Sequence, residues 1–374
     1  MTLSEPRVLV NAEPFGFGPA AAVASLTPLL QKSGIQLSYI GEEHTLDLQN
    51  DLAYEVIYDI TDMTTHQRRI LMNEIAGKYD LFITAMDFNM AEIAEKAGIK
   101  TIIYDALTWY WPEIHPAIKN AELYIAQQFF GTEERLINEA HSFPAYKLVS
   151  PIIAANTKYE EKQHILLNMG GLQNPYWDFK DTIAYAKLML DAVTAAIPET
   201  ETLIITTSST VANALNDSRI VTLPRQSMIE TLAKSKFAIM TPGLGNIYDA
   251  ASFDIPTLWL PPANDSQGQQ SKLLLENDCC DVNIDWGELG AFIDYKATQT
   301  TVLQEITHAL HSVINDEALR HKLSAVTAQK LHNLSAQQNG KTKKLIQSFG
   351  ANGATDICAA IVEHIGRAAY ASAN

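Results

Sequence analysis

The chain has 374 residues, 47% hydrophobic and 19% charged, a size and composition that exclude a disordered protein and predict two domains. Its net charge of −16 argues against nucleic-acid binding and against docking on anionic membranes, both of which depend on Lys and Arg. Cys279, Cys280 and Cys358 match neither zinc nor redox spacing and no disulfide framework, as expected of a cytoplasmic protein; residues 1–7 lack an apolar signal region and no apolar run is long enough to span a bilayer.

Short apolar runs alternate with helix-period segments, the pattern of βαβ units on a parallel sheet. Arg7–Asn11 reads as the first strand, followed by a Gly-containing loop at Glu13–Pro19 and a helix at Ala20–Lys32, broken or bent near Pro28 and stopped by Gly34. Further strands are predicted at 36–40, 55–60, 81–84, 100–104, 122–126 and 146–149, with helices between them, one opening at Thr132 with Glu133 and Glu134 in its first turn. Ser150–Lys162 is polar and charged and reads as an interdomain connection. A second series has strands at 164–168, 202–206, 219–223, 237–240 and 256–260, and helices at 178–196, 228–234, 246–253 and 267–277. Thr355–Ala371 is a last apolar-periodic helix. The fold class expected is α/β, two Rossmann-like doubly wound domains at 1–155 and 163–350, with a C-terminal helix at 355–374 crossing back to the first domain. Lys341–Lys344 reads as a solvated charged face.

The most informative stretch runs from Ile239 to Pro262. A strand ends at Met240; Gly243, Leu244, Gly245 and Asn246 then turn into a helix whose free N–H groups suit an anion. Asp249 is placed to accept hydrogen bonds from ribose hydroxyls. The loop after the next strand, Asn264–Gln270, offers Asp265, Gln267, Gln269 and Gln270 for sugar hydroxyls, or Asp265 or Ser266 as a helix cap. Asn168–Pro175 contains Gly170 and Gly171, a turn or a phosphate-approaching loop.

Gly-x-Gly-x-x-x-Asp, Ile-Pro, Pro-Pro, Asp265 and Gln269–Gln270 together resemble the donor-site signature of GT-B glycosyltransferases, the class of the UDP-glycosyltransferases and the lipid II N-acetylglucosaminyltransferase. The chain departs from that pattern at Thr241–Pro242, Asn246, Asp249 and Asp254. The resemblance implies that Arg225 or Gln226 meets the uracil edge and that Gly170 and Gly171 approach the diphosphate. It places Gly16 and Gly18 in the family's first Gly-rich loop. There inverting members often carry a catalytic His, where this chain has Pro19 and Ala20.

The general base is therefore open among Glu13, Asp105 and His115, with Asp87 a further acid past a strand end. Each acid also suits a cap or turn. Phe15, Phe17, Trp109 and Trp111 are acceptor-binding candidates, the tryptophans as a flat platform or as packing. The opening Val-Leu-Val-Asn-Ala-Glu-Pro-Phe-Gly-Phe-Gly-Pro and the Asp-Ala-Leu-Thr-Trp-Tyr-Trp run also resemble cytosylglucuronate synthase, which implies glucuronosyl transfer to a cytosine-like base. No Asp-x-Asp motif occurs. The expected function is metal-independent transfer of a sugar from a UDP-sugar to a small-molecule acceptor, with no cofactor, no metal, no nucleic acid and no stable membrane insertion. The alternatives are a sugar-nucleotide epimerase or hydrolase on the same fold, and a degenerate partner subunit.

Overall fold

A computed structural model describes residues 5–153 and 161–373. Part of the expected interdomain connection, residues 154–160, lies outside them, as do the side chains beyond residue 366. Two compact units emerge. The first comprises residues 1–14, 19–153 and 349–374; the second comprises 15–18 and 154–348.

The first unit runs β1 Arg7–Ala12, α1 Gly18–Lys32, β2 Gln36–Gly41, β3 Ile57–Asp59, α2 Thr65–Ile75, β4 Leu81–Ala85, α3 Phe88–Lys96, β5 Thr101–Asp105, α4 Pro116–Asn120, β6 Leu123–Gln127, α5 Thr132–Asn138 and β7 Tyr146–Val149. All seven strands lie parallel in the order β3-β2-β1-β4-β5-β6-β7. β4 and β5 are buried at every residue, as strands covered by helices on both faces must be. Two apolar clusters cover the faces, one around Val8, Val10 and Ile83, the other around Leu9, Phe82 and Ile103.

The second unit runs β8 His164–Asn168, α6 Phe179–Ala196, β9 Leu203–Thr206, α7 Ser209–Leu215, β10 Ile220–Val221, α8 Arg225–Ala233, β11 Ser235–Met240, α9 Leu244–Ser252, β12 Thr257–Trp259, α10 Asp265–Glu276, β13 Val282–Asn283, α11 Gln299–Asn315 and α12 Glu317–Ser335. Its parallel sheet has the order β10-β9-β8-β11-β12-β13. α13 Lys343–Phe349 and α14 Gly353–Ala373 follow. α14 is counted with the first unit, and its Ile357 and Ile361 enter that unit's core. The expected return of the last helix to the first domain is met.

Several boundaries differ from the sequence reading. α1 passes through Pro28 without a break. Pro28 is on the exposed side, while Val23, Leu26 and Leu30 hold the other side in the core. β3 and β10 are shorter than expected. Both lie at sheet edges, where Ile57 and Val221 are exposed and packing does little to extend a strand. Lys341 and Lys344 do not merely face solvent; both ammonium groups reach Asp278, at 2.7 and 2.5 Å.

Gly353 fixes how α14 starts. A Cβ there would come within 2.2 Å of the Ser150 carbonyl oxygen and 2.5 Å of Pro151. These are backbone atoms that cannot swing aside. Gly353→Ala is expected to destabilise the first unit by about 1–3 kcal/mol, read as a lower urea midpoint; an unchanged midpoint would refute this packing argument.

Candidate functional site

In an open parallel sheet, ligands bind beyond the carboxyl ends of the strands, where the connections diverge to opposite sides. That point falls between β1 and β4 in the first sheet and between β8 and β11 in the second.

At the first of these points, two carboxyl groups meet. Glu13 follows β1, held by its N–H donating to the Ala85 carbonyl at 3.0 Å. Asp87 follows β4 and caps α3, its Oδ1 accepting from Met90 N at 2.9 Å. The two carboxyl groups are neighbours across β1 and β4, close enough for the Asp87 charge to act on Glu13. Asn11 is buried within β1 beside them. Asn11 is itself fixed, its Nδ2 donating to the Ile40 carbonyl at 3.1 Å and its Oδ1 accepting from Thr84 Oγ1 at 2.7 Å. Beside them Arg68 forks onto Glu42, with both bonds at 2.6 Å. Burial, reinforced by the Asp87 charge, pushes Glu13 up to about 9. Burial pushes Asp87 up to about 6, against the bond from Met90 N. The sequence reading did not single out Asn11, Glu42, Thr84 or Arg68. A polar residue inside an apolar first strand, and an acid just past the second, were the available signals.

Asp105 and His115, the other two base candidates, are elsewhere. Asp105 is fully buried; its Oδ1 accepts from Leu107 N at 2.6 Å and its Oδ2 from Trp111 Nε1 at 2.7 Å and Tyr124 Oη at 2.6 Å. That geometry anchors a loop and offers no approach to an acceptor. His115 caps α4, Nδ1 accepting from Ala117 N at 3.2 Å, and stacks on Phe88 at 5.1 Å. Burial lowers its pKa. Trp109, Tyr110 and Trp111 do not lie flat as one platform. Each meets Tyr110 edge-on at 69°, and Trp109 also packs on Phe129. Edge-to-face packing is the favoured arrangement of adjacent rings.

At the second of these points, Asn168 ends β8 and joins the two loops. Its Oδ1 accepts from Gly170 N at 2.9 Å and its Nδ2 donates to Asn246 Oδ1 at 3.1 Å. Asn246 in turn donates to the Thr241 carbonyl at 2.9 Å. Gly243 is the N-cap of α9 and Gly245 is exposed in its first turn; Leu244 is buried beside them. The segment 15–18 belongs here. Gly16 N donates to the Gln173 carbonyl at 2.7 Å, and the Phe17 ring lies against Gly170. Gly18 lies beside Gly245, and Phe15 meets Tyr176 at 6.4 Å. Gly171 lies in the turn Gly170–Leu172, but its surroundings are outside the described residues.

Arg225 and Asp249, expected to serve base and ribose separately, form a forked ion pair at 2.5 and 2.6 Å. Gln226 is exposed and bonds Glu230, away from any such fork. The α10 residues also divide. Asn264, not Asp265 or Ser266, is the N-cap, because its Oδ1 reaches Gln267 N at 2.9 Å. Gln267 Oε1 accepts from Ala263 N, and Gln269 Nε2 donates to the Tyr295 carbonyl at 2.8 Å. These two glutamines brace the loops. Asp265 is buried beside them, and Gln270 Oε1 is buried with no hydrogen-bond partner, a group that a bound hydroxyl would satisfy.

The Tyr295 ring lies directly over Gly268, where a Cβ would come within 2.0 Å of it. Gly268→Ala is expected to displace the Tyr295 loop and with it the Gln269 bond. Native-state hydrogen exchange at residues 290–297 should rise; unchanged exchange would refute the contact's importance.

No protein-family model and no curated protein matches the chain. Solved structures do. One is a UDP-glucose:anthocyanidin 3-O-glucosyltransferase in complex with UDP, 10% identical, covering 98% of this chain and 100% of that one, with a TM-score of 0.54. A second is described as a UDP-N-acetylglucosamine 2-epimerase from Listeria monocytogenes, 13% identical, covering 97% of each chain, with a TM-score of 0.52. MurG of Acinetobacter baumannii matches at 14% identity and a TM-score of 0.49 over 96% of this chain and 99% of that one. The chain has the GT-B fold expected from its sequence. Among the described residues, no helix is long and apolar enough to cross a membrane.

Proposed function

We propose that this chain is a glycosyltransferase that takes a sugar from a UDP-sugar and moves it to a small-molecule acceptor without a metal ion. The observation that carries the reading is the clustering of complementary chemistry at the two divergence points. In the second unit, the first turn of α9, after its Gly243 cap, presents backbone N–H groups suited to a diphosphate, and the Asn168–Asn246 clasp ties β8 to that turn. The forked pair of Arg225 and Asp249 lies in the segment whose sequence resembles a nucleoside pocket. In the first unit, Glu13 and Asp87 supply acid–base chemistry. Helix-end N–H groups would stabilise the departing diphosphate.

Thermal unfolding across a panel of nucleotides and sugar nucleotides tests the donor. Ligand at about 100 times its dissociation constant adds about 2.7 kcal/mol to stability, a clear rise in midpoint. A selective rise with UDP and one UDP-sugar supports the reading, and no rise with any nucleotide overturns it. UDP-glucuronate and cytosine belong in the panel because the opening residues and the Asp105–Trp111 run resemble an enzyme that joins them. The GT-B likeness extends to a 2-epimerase, so products are analysed with and without acceptor. A glycoside formed only with acceptor supports transfer; an epimerised or hydrolysed sugar nucleotide formed without it replaces transfer with the second activity.

A further inference from the structure

We propose that the side chains of Gln173 and Asn174, on the loop after β8, read hydroxyls of the donor's sugar, so that this chain takes an uncharged sugar and discriminates against a uronate. The proposal rests on the glycosyl-transfer reading above and deepens it by naming the class of sugar. Gln270 is a position the sequence resemblance already gives to the sugar; the amide pair on the β8 loop is the addition.

Three observations carry it. The first is a pair of adjacent buried amides with open hydrogen-bonding positions. Gln173 is 7% exposed and Asn174 8%. Gln173 Oε1 and Asn174 Nδ2 are buried with no hydrogen-bond partner among the described residues. Most buried side-chain polar atoms in folded proteins are paired, so two neighbouring exceptions call for a partner. They follow β8, at the divergence point of this sheet, where a ligand is expected. The loop around them is fixed. Asn174 Oδ1 accepts from Tyr176 N at 2.9 Å, which turns its NH2 group the other way. The main-chain carbonyl of Gln173 accepts from Gly16 N at 2.7 Å, a bond that leaves the side-chain amide uninvolved.

The second observation is a shared support. Trp177 meets the Tyr185 ring of α6 edge-on at 6.0 Å. Tyr185 Oη donates to the Pro261 carbonyl. One ring therefore supports both the β8 loop and the loop that leads into α10, where Gln270 Oε1 is a third buried amide atom without a partner.

The third observation is charge. The segments that follow the four central strands are 169–178 after β8, 207–208 after β9, 241–243 after β11 and 260–264 after β12, the last continuing into α10 as far as Ser271. None of these residues is Lys, Arg or His, and Asp178 and Asp265 are among them. Arg225, which follows β10, is tied to Asp249.

A hydroxyl both donates and accepts, so it can satisfy Gln173 Oε1 in one direction and Asn174 Nδ2 in the other. A carboxylate only accepts. It would set its charge against the amide oxygens of Gln173 and Gln270 with no cation to offset it, and a buried charge without a partner is costly. An uncharged sugar is the donor that fits.

Titration calorimetry with UDP, UDP-glucose, UDP-galactose, UDP-N-acetylglucosamine and UDP-glucuronate tests this. UDP binding reports on the glycosyl-transfer reading, and the affinity of each sugar nucleotide relative to UDP reports on the proposal. One uncharged UDP-sugar should bind at least about 10-fold more tightly than UDP-glucuronate. Two variants address the amides. Asn174→Ser keeps an oxygen for the Tyr176 N–H and removes the NH2 group; Gln173→Met keeps the length and removes the amide. Each should weaken the preferred UDP-sugar about 10-fold and leave UDP unchanged. Without ligand, Gln173→Met should not lower the thermal midpoint, because an apolar side chain replaces an unpartnered amide. The proposal is overturned, with UDP binding intact, by UDP-glucuronate that binds as tightly as every uncharged sugar, by an unchanged sugar-to-UDP ratio in both variants, or by a lower ligand-free midpoint in Gln173→Met. Absence of UDP binding overturns the glycosyl-transfer reading, and the proposal with it.

Discussion

Asp249→Ala should abolish the stabilisation conferred by UDP and, without ligand, cost about 3 kcal/mol. Asp249 is 4% exposed, the sixth residue of α9, and both its oxygens are gripped by Arg225 at 2.5 and 2.6 Å. Alanine would leave a guanidinium with no anion across from it, at the first residue of α8. The cost falls at the low end for a broken buried pair because the Arg225 side chain is 25% exposed and can rehydrate. The ligand effect has a separate origin. An ionised carboxylate has about four acceptor sites, and the fork uses one per oxygen, so a ribose hydroxyl can still donate to Asp249. Arg225→Lys separates the two effects. It keeps the charge but replaces the planar fork with a point donor, so the carboxylate remains while its orientation loosens. UDP should then bind more weakly without being lost. Urea unfolding measures the first effect and thermal shift with UDP the second; an undiminished UDP shift in Asp249→Ala would remove Asp249 from the donor site.

The parts of this molecule that were readable in sequence are those governed by local pattern. The runs at 7–11, 81–84 and 164–168 became strands with buried apolar centres because parallel strands covered on both faces are apolar at most positions. Gly243 could be placed at a helix start because the strand before it and the helical period after it are both local. Contacts set by strand order were not readable. Glu13 and Asp87 meet only because β4 inserts beside β1, and nothing within either segment records that neighbour. Arg225 and Asp249 were assigned to separate contacts for the same reason: each motif was read within its own turn, while α8 and α9 bring the side chains together. α11 and α12 carried usable signals that the reading passed over. Thr298 caps the first and Asp316 the second, and Val302, Ile306, Leu310 and Val313 follow at helical spacing.

At Asp105 the motif and the structure assign different roles, and its asparagine variant decides between them. The residue ends β5 and is fully buried, with Leu107 N–H, Trp111 Nε1–H and Tyr124 O–H all donating to it. Burial nonetheless raises its pKa, outweighing those donors. Alanine removes the acceptor for all three. Tyr124 keeps Thr108 as a partner at 2.8 Å, whereas the Leu107 amide and the Trp111 indole lose the partner described here. At about 1–3 kcal/mol for each buried orphan donor, Asp105→Ala should cost about 4 kcal/mol. The damage should spread along 105–111, because Arg135 holds the same loop through the carbonyls of Thr108 and Trp111. Asparagine is the discriminating variant. Its oxygen can still accept from Leu107, and the Tyr124 hydroxyl can turn to accept from the new amide, but the indole is a donor only and stays unmatched. The loss should then be about 1–2 kcal/mol, leaving the protein folded at 25 °C. An anchor predicts that folded Asp105→Asn turns over within a few-fold of wild type. A base predicts a loss of 10²-fold or more. The second outcome, measured on demonstrably folded protein, would return the proton transfer to β5 and remove it from Glu13 and Asp87.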